Sequence, residues 1–407
     1  MNDFRPPKLN RAVVALANAI IPLAMRARSV VGVKFRDEDI ARLKELKSER
    51  LVILPNHPTN TEPAILFKLG ERSRQTFHYV ACREAFDRAA GLWGQFIQRL
   101  GAYSLVRGAL DRPSFSMTRQ IIATPGSKLV IFPEGEVYSQ NDSLLPFQSG
   151  VIQLAFWGLE DALKKDPGAD VKLLPVAVRY SFVQEMMPAI LASIKRLEEA
   201  VGLPVTLEED AYLRMRRIGE LVVAKLEKQF DLVPFPEALL GDRMDIVKHT
   251  QLERAAEIAR VKLRGGSLAE EMRLVVNAVH RVTSDPSQAK TPYDRRLWVE
   301  SRNHIQPALH ELDRLANWIA VYDGYVAANP TPERMVHLLI RMEQEVLGKV
   351  AIRGRQVAHV AIGKEISLSE RKQDYEADKR GTVSHVTKQT EAIVQELLVS
   401  LAGRFAI

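Results

Sequence analysis

Five short strand-like runs, at 51–54, 76–81, 101–108, 128–132 and 171–180, alternate with helical periodicity at 63–70, 91–100, 114–123 and 144–158. Short runs bounded by Gly, Pro and polar residues read as strands, and their alternation with helices argues for βαβ units around a largely parallel sheet. The texture then changes. From 183 to 350 helix follows helix, with Leu207, Ala211, Ile218 and Val222 at helical spacing. Ser267 with Glu270 predicts a capping box, and Thr331-Pro332 opens a helix that Gly348 can close. Gly265-Gly266 and Ser284-Asp285-Pro286 serve as joints. Strand character returns at 357–362, before a long amphipathic helix over 383–403. The expectation is an α/β fold, its largely parallel sheet flanked by helices and interrupted by a large all-helical insertion. Residues 37–182 with 351–407 form the α/β domain, 183–350 the insertion, and 1–36 an N-terminal membrane-associating segment.

The run Leu51-Val52-Ile53-Leu54 spills into Pro55-Asn56-His57-Pro58-Thr59-Asn60-Thr61-Glu62-Pro63, and Pro63 opens a helix. His57 therefore stands at the C-terminal mouth of a strand, where open α/β sheets place ligands. Glu62, five residues on, can reach one imidazole nitrogen if the loop folds back. The other nitrogen is then free to take a proton from a hydroxyl. This is a histidine–carboxylate base without a nucleophile of its own. A lone pair of this spacing is more often an accident of a loop than a site, so the rest of the chain must support it.

Composition narrows the setting. The single cysteine, Cys82, excludes a disulfide framework and suits a reducing compartment. The nine histidines form no metal-ligand spacing. Residues 1–36 carry Arg5, Lys8, Arg11, Arg26, Arg28, Lys34 and Arg36 against Asp3, so nearly all of the net +7 sits there. The apolar stretch 12–25 lacks the polar and aromatic interleaving of a nucleic-acid-binding arm. As a helix it would span about 21 Å, short of the roughly 30 Å of a bilayer core. Asn18 and Pro22 weaken a spanning reading further, and Arg26 and Arg28 stand where a signal peptide would need small residues. A core helix and an interfacial helix on an anionic leaflet remain, and both can hold at once.

Four motifs in order then give the chain a resemblance to the glycerolipid acyltransferases of the lysophosphatidic acid acyltransferase type. Asn56, His57 and Glu62 match its His-x4-Asp motif, with Glu for Asp. Gly101 and Arg107 match Gly-x5-Arg, and Phe132, Pro133, Glu134 and Gly135 match Phe-Pro-Glu-Gly. Leu174-Pro175-Val176 matches the apolar-Pro-apolar strand. Phe147, Gly150 and Ala155 fit a helix opening of the family, and 360–366 resembles its closing strand. The resemblance covers roughly 45–182 and 355–402. It implies that His57 deprotonates the attacking hydroxyl, that Glu62 steadies the imidazole, and that Arg107, Glu134 and Gly135 hold the acceptor. The 174–176 strand would help shape the acyl site. The implied donor is an acyl thioester of coenzyme A or acyl carrier protein, and the implied acceptor a lysolipid such as 1-acyl-glycerol-3-phosphate. No bound cofactor, metal or nucleic acid is implied. The implied location is cytoplasmic, on the inner face of a membrane.

Three departures touch the acceptor. Where the family continues Thr-Arg-Ser, this chain has Glu136, Val137 and Tyr138, and Gln148-Ser149 stand where lysines are common. Each change removes positive charge or adds negative charge where a phosphate would rest. A non-phosphorylated or amino-bearing lipid acceptor is the alternative with the same chemistry. A degenerate domain that binds lipid and recruits a partner is the alternative without it.

Overall fold

The computed structural model describes residues 4–107, 111–137, 141–206, 209–233, 237–283, 291–319 and 321–402. Gly108, Tyr138, Leu207 and the joint at 284–286 lie outside them. The chain divides into two compact units, Met1–Ser181 with Gln356–Ile407, and Phe182–Arg355.

The first unit is built on an eight-stranded sheet. Its strands are β1 (Val30–Phe35), β2 (Leu51–Pro55), β3 (His78–Cys82), β4 (Ala102–Leu105), β5 (Lys128–Val130), β6 (Lys172–Phe182), β7 (Gln356–Ile362) and β8 (Ile366–Ser367). They lie in the order β1-β7-β6-β2-β5-β3-β4, with β8 pairing β6. The ladders β1/β7, β2/β5, β2/β6, β3/β4 and β3/β5 are parallel. β2 sits between β5 and β6, and all five of its residues are buried. A central parallel strand covered on both faces is apolar throughout, which is why 51–54 shows no alternation.

β6 and β7 run against each other. Gly363 N donates to Pro175 O at 2.8 Å and Val183 N to Arg355 O at 3.0 Å, a register only an antiparallel pair can have. The chain thus leaves the sheet at the end of β6 and rejoins it at the start of its neighbour. On one face of the sheet a core forms around Leu51, Ile53, Leu174, Val176 and Val178 beneath helices α1 (Arg11–Ala27) and α3 (Glu62–Ser73). On the other, Val52, Leu54, Leu129 and Leu173 pack against α5 (Arg112–Ala123) and α6 (Ser149–Leu163).

Part of the segment 1–36 belongs to the sheet of the α/β fold. Residues 30–35 are strand β1, paired with β7 from Val30↔Gln356 to Phe35↔Val360. A six-residue strand whose partner lies more than 300 residues away leaves no local signature. Residues 5–10 line the β4 edge, where Arg5 N donates to Ser104 Oγ at 2.8 Å and Ser104 N to Arg5 O at 3.0 Å. Covering an edge in this way blocks stray strand pairing. α1 has two apolar faces. Ala17, Ile21 and Met25 are buried, whereas Leu16, Ile20 and Leu23 are exposed. Among the described residues no helix is long and apolar enough to cross a membrane.

The second unit is helical: α7 (Met187–Val201), α8 (Ala211–Gln229), α9 (Leu240–Ile258), α10 (Leu268–Thr283), α11 (Pro292–Trp318) and α12 (Pro332–Leu347). Ile190, Ile194, Met215, Ile218, Val222 and Leu339 are among its buried residues. Its caps are local and sequence-encoded. Ser267 N donates to Glu270 Oε2 at 2.9 Å, Thr331 Oγ1 accepts from Arg334 N, and Gly348 closes α12 in the left-handed region at φ 68°. The first unit closes with α13 (Lys372–Ala377) and α14 (Lys379–Ala402).

Candidate active site

Three adjacent strands converge on one point. β2 ends at Pro55 and delivers Asn56 and His57, the chain beyond β5 delivers Phe132 and Glu134, and the far half of β6 delivers Val178 and Tyr180. The C-terminal ends of neighbouring parallel strands are where such sheets open into a crevice.

Asn56 anchors the loop. Its Nδ2 donates to Val178 O at 2.9 Å and its Oδ1 accepts from Val178 N at 2.7 Å. The side chain thereby extends the β2/β6 ladder past its last backbone pair, Pro55↔Val176. The loop then folds back as the sequence required. His57 Nδ1 meets Glu62 Oε2 at 2.7 Å. His57 Nε2 has no hydrogen-bond partner among the described residues, and the imidazole is 15% exposed. The ring lies on Phe132, with centroids 4.0 Å apart and planes at 21°.

Glu62 is fully buried, and four donors meet its two oxygens. Oε2 accepts from His57 and from Thr59 N (3.1 Å), and Oε1 from Thr59 Oγ1 (2.7 Å) and the Tyr180 hydroxyl. Among the described residues no guanidinium or ammonium pairs with it, so neutral donors hold this carboxylate in the interior. It is also the first residue of α3, which follows Thr61 at the N-cap position and continues with Pro63. The helix dipole favours negative charge there, and a proline so early costs no helical hydrogen bond. The longer side chain of glutamate spans from this helix start to both His57 and Tyr180. Burial first, and then the Glu62 charge, push the Tyr180 hydroxyl well above its ordinary range, keeping it a donor.

Glu134 was expected to hold the acceptor. Its carboxylate instead turns inward and is 5% exposed. Oε1 accepts from His57 N at 2.7 Å and Oε2 from Leu145 N at 2.9 Å. Its position makes it a bracket for the backbone of His57. Burial pushes it up to about 7, opposed by those two N–H groups and by His57. Gly135 lies at φ +77°, in the left-handed region. A Cβ there would stand 1.7 Å from Gln148 Nε2, and the Gln148 backbone N–H donates to Pro133 O at 2.8 Å. The turn is closed from behind by the glutamine found where lysines were expected.

Arg107, at the end of the β4 segment, forms an ion pair with Glu136. Burial works against its charge, but Glu136, then Cys82 and Glu84, hold its pKa above the ordinary arginine value. The carboxylate that departs from the family pattern thus sits on the arginine that the resemblance assigned to the acceptor. Gly101, at φ +95°, turns α4 (Leu92–Arg99) into β4 and is part of the frame rather than the site. Pro175 lies in β6 opposite Leu54, and its carbonyl accepts from Gly363 N at 2.8 Å. Leu174 and Val176 beside it belong to the buried core.

Two contributors carry no motif. Tyr180 lies 118 residues from the carboxylate it serves. Asn141 exchanges two hydrogen bonds of 2.6 Å with the Tyr180 backbone, bracing β6 as Asn56 does two residues earlier. The polar residue in an apolar strand was the one signal that could have raised Tyr180. Among the described residues no cluster of His, Cys, Asp and Glu is arranged to hold a metal ion.

A histidine, its carboxylate partner and a bracketing Phe-Pro-Glu-Gly turn thus meet at the ends of β2 and β5, and residues 33–179 match the family described as Acyltransferase. This segment is an acyltransferase domain. No curated protein matches the chain. The matched segment begins within β1 and ends in β6, so it contains His57, Glu62, Glu134 and Asn141, stops one residue before Tyr180, and omits the helical unit. Acyl transfer is the class of chemistry that the acyltransferase domain carries.

Proposed function

We propose that the protein transfers a fatty acyl group from an acyl thioester, carried by coenzyme A or acyl carrier protein, to the hydroxyl of a lysolipid, with His57 as general base. The observation that carries this reading is His57 itself, bonded to Glu62 through Nδ1 and without a partner at Nε2 among the described residues. The Glu62 bond would keep the proton on Nδ1, leaving the Nε2 lone pair for the acceptor hydroxyl. As the hydroxyl proton moves to Nε2, the hydroxyl oxygen attacks the thioester carbonyl. The C–S bond then breaks, and the leaving thiolate recovers the proton from the imidazolium. Glu62 stabilises the cation between these steps. The thiolate is a good leaving group, so no enzyme nucleophile is needed, and among the described residues no hydrogen bond of His57 runs to a serine, threonine or cysteine hydroxyl or thiol.

The Arg107–Glu136 pair favours the non-phosphorylated or amino-bearing acceptor over 1-acyl-glycerol-3-phosphate. A guanidinium already engaged by a carboxylate has less to offer a phosphate dianion, and Val137 supplies no replacement. For location, the exposed Leu16, Ile20 and Leu23 with Arg11, Arg26 and Arg28 support peripheral attachment to an anionic, cytoplasmic membrane face. The deciding experiment measures thiol release from an acyl-CoA and from an acyl carrier protein thioester against a panel of lysolipids. His57→Ala should retain its fold and lose about 10²–10⁴-fold in rate. Full activity in His57→Ala would remove the mechanism.

A further inference from the structure

The helical unit has a site of its own. Within its core a cavity of about 60 Å³ opens among α8, α9, α12 and the turn that follows α11. Met215, Val222, Leu226, Met244, Val247 and Met342 supply much of its wall. Two polar groups in this lining break the apolar pattern. Gln251, on α9, is 1% exposed, and neither its Nε2 nor its Oε1 has a hydrogen-bond partner among the described residues. Trp318, at the end of α11, is 7% exposed, and its indole N–H is likewise without one.

An unpaired buried amide is costly, and a leucine of similar size at position 251 would avoid that cost. The charged groups of the lining do not explain it, because they have partners elsewhere. Arg216 pairs with Asp323 and Glu220, and Lys248 Nζ donates to Asp245 and to the Val321 carbonyl. Beside the Arg216 Nε, which has no hydrogen bond and lies 3.7 Å from Glu220, what remains is one donor–acceptor amide and one further donor, set in apolar, methionine-rich walls that adapt to an irregular guest.

We propose that this cavity binds an aliphatic molecule bearing one neutral hydrogen-bonding group, of the fatty-alcohol class. The hydroxyl donates to Gln251 Oε1 and accepts from Gln251 Nε2, with the Trp318 N–H as a second donor, and the chain lies against the methionines. A charged head is excluded, since no free counter-charge meets it in an apolar interior. At roughly 10–15 Å³ for each water-sized occupant, the cavity takes about four to six heavy atoms. The remainder of a longer chain emerges beside Tyr322 and Asp323, the exposed members of the lining. This site is separate from the His57 crevice and does not depend on the reaction assigned to it.

The test titrates the full chain with 1-octanol, reading tryptophan fluorescence and calorimetry, with sodium octanoate at pH 8 as the charged comparison. Saturable binding is expected, with octanoate at least tenfold weaker. Trp318→Phe should remove the fluorescence change. Gln251→Leu should weaken octanol at least tenfold while raising the melting temperature of the ligand-free protein, since it deletes an unpaired buried amide. Val222→Phe, which fills the cavity and keeps the amide, should abolish binding and covers the case in which Gln251→Leu does not fold. The proposal is overturned by absent or non-saturable binding, which would mean that the cavity holds water only. It is equally overturned if Gln251→Leu binds octanol unchanged, which would put the alcohol elsewhere, or lowers the ligand-free melting temperature, which would give the amide a structural role.

Discussion

Glu62→Gln separates the charge of the buried carboxylate from its shape. In the native site Oε2 accepts from His57 Nδ1 at 2.7 Å and from Thr59 N at 3.1 Å, donors that cannot reverse. Oε1 faces two hydroxyls, Thr59 Oγ1 at 2.7 Å and Tyr180, which can. A glutamine that places its oxygen toward His57 keeps the first pair. Its amide N–H groups then donate to the two hydroxyls once they rotate. No buried group is orphaned, so stability should change by less than about 1 kcal/mol. What disappears is the negative charge beside the imidazolium formed during transfer. A charge-assisted hydrogen bond exceeds a neutral one by about 1–2 kcal/mol. At 1.36 kcal/mol per tenfold, kcat should fall about 5- to 30-fold, well short of the loss in His57→Ala. The assay is thiol release under saturating donor and acceptor, with a thermal melt alongside. A folded variant within twofold of wild-type kcat would show that the carboxylate does not stabilise the cation. A folded variant slowed more than a thousandfold would show that the amide cannot hold the ring, and the rotation argument would fail.

Glu136→Gln should release Arg107, raising kcat/KM for 1-acyl-glycerol-3-phosphate relative to a monoacylglycerol by about tenfold or more, as one new arginine–phosphate bond would. An unchanged ratio would mean that Arg107 does not face the acceptor head. Burial lifts Glu134 from 4.5 to about 7, so between those values the folded protein binds a proton that the unfolded chain has released. Its contribution to stability therefore falls as pH rises from about 4.5 to about 7, by roughly 3 kcal/mol, and melting curves of Glu134→Gln should lack that slope. At the surface, replacing Leu16, Ile20 and Leu23 with Ser should weaken binding to anionic vesicles about a hundredfold, on about 1 kcal/mol of half-buried side chain each. Equal sedimentation with vesicles would move the contact off α1.

What the sequence determined by itself is whatever a few neighbouring residues encode. The apolar run at 51–54 specifies a buried strand because both of its faces are covered, and Thr331 and Gly348 bound a helix because caps act within one turn. His57 and Glu62 were legible for the same reason, since a five-residue loop is short enough to fold back on itself. Arg107, Glu134 and Gly135 were legible as positions, through ordered motifs, but their partners were not. Whether Glu134 faces an acceptor or the backbone of His57 depends on where the chain beyond β5 sits against the loop after β2, 77 residues earlier. Whether Arg107 is open or engaged depends on Glu136, 29 residues on. Only the tertiary structure made β1 a strand, by bringing 356–360 alongside 30–35, and only it turned β7 against β6. Tyr180 and Asn141 belong to the same class. Sheet pairing brings together groups more than a hundred residues apart, and the hydrogen bonds that then satisfy a buried carboxylate have no counterpart in local periodicity.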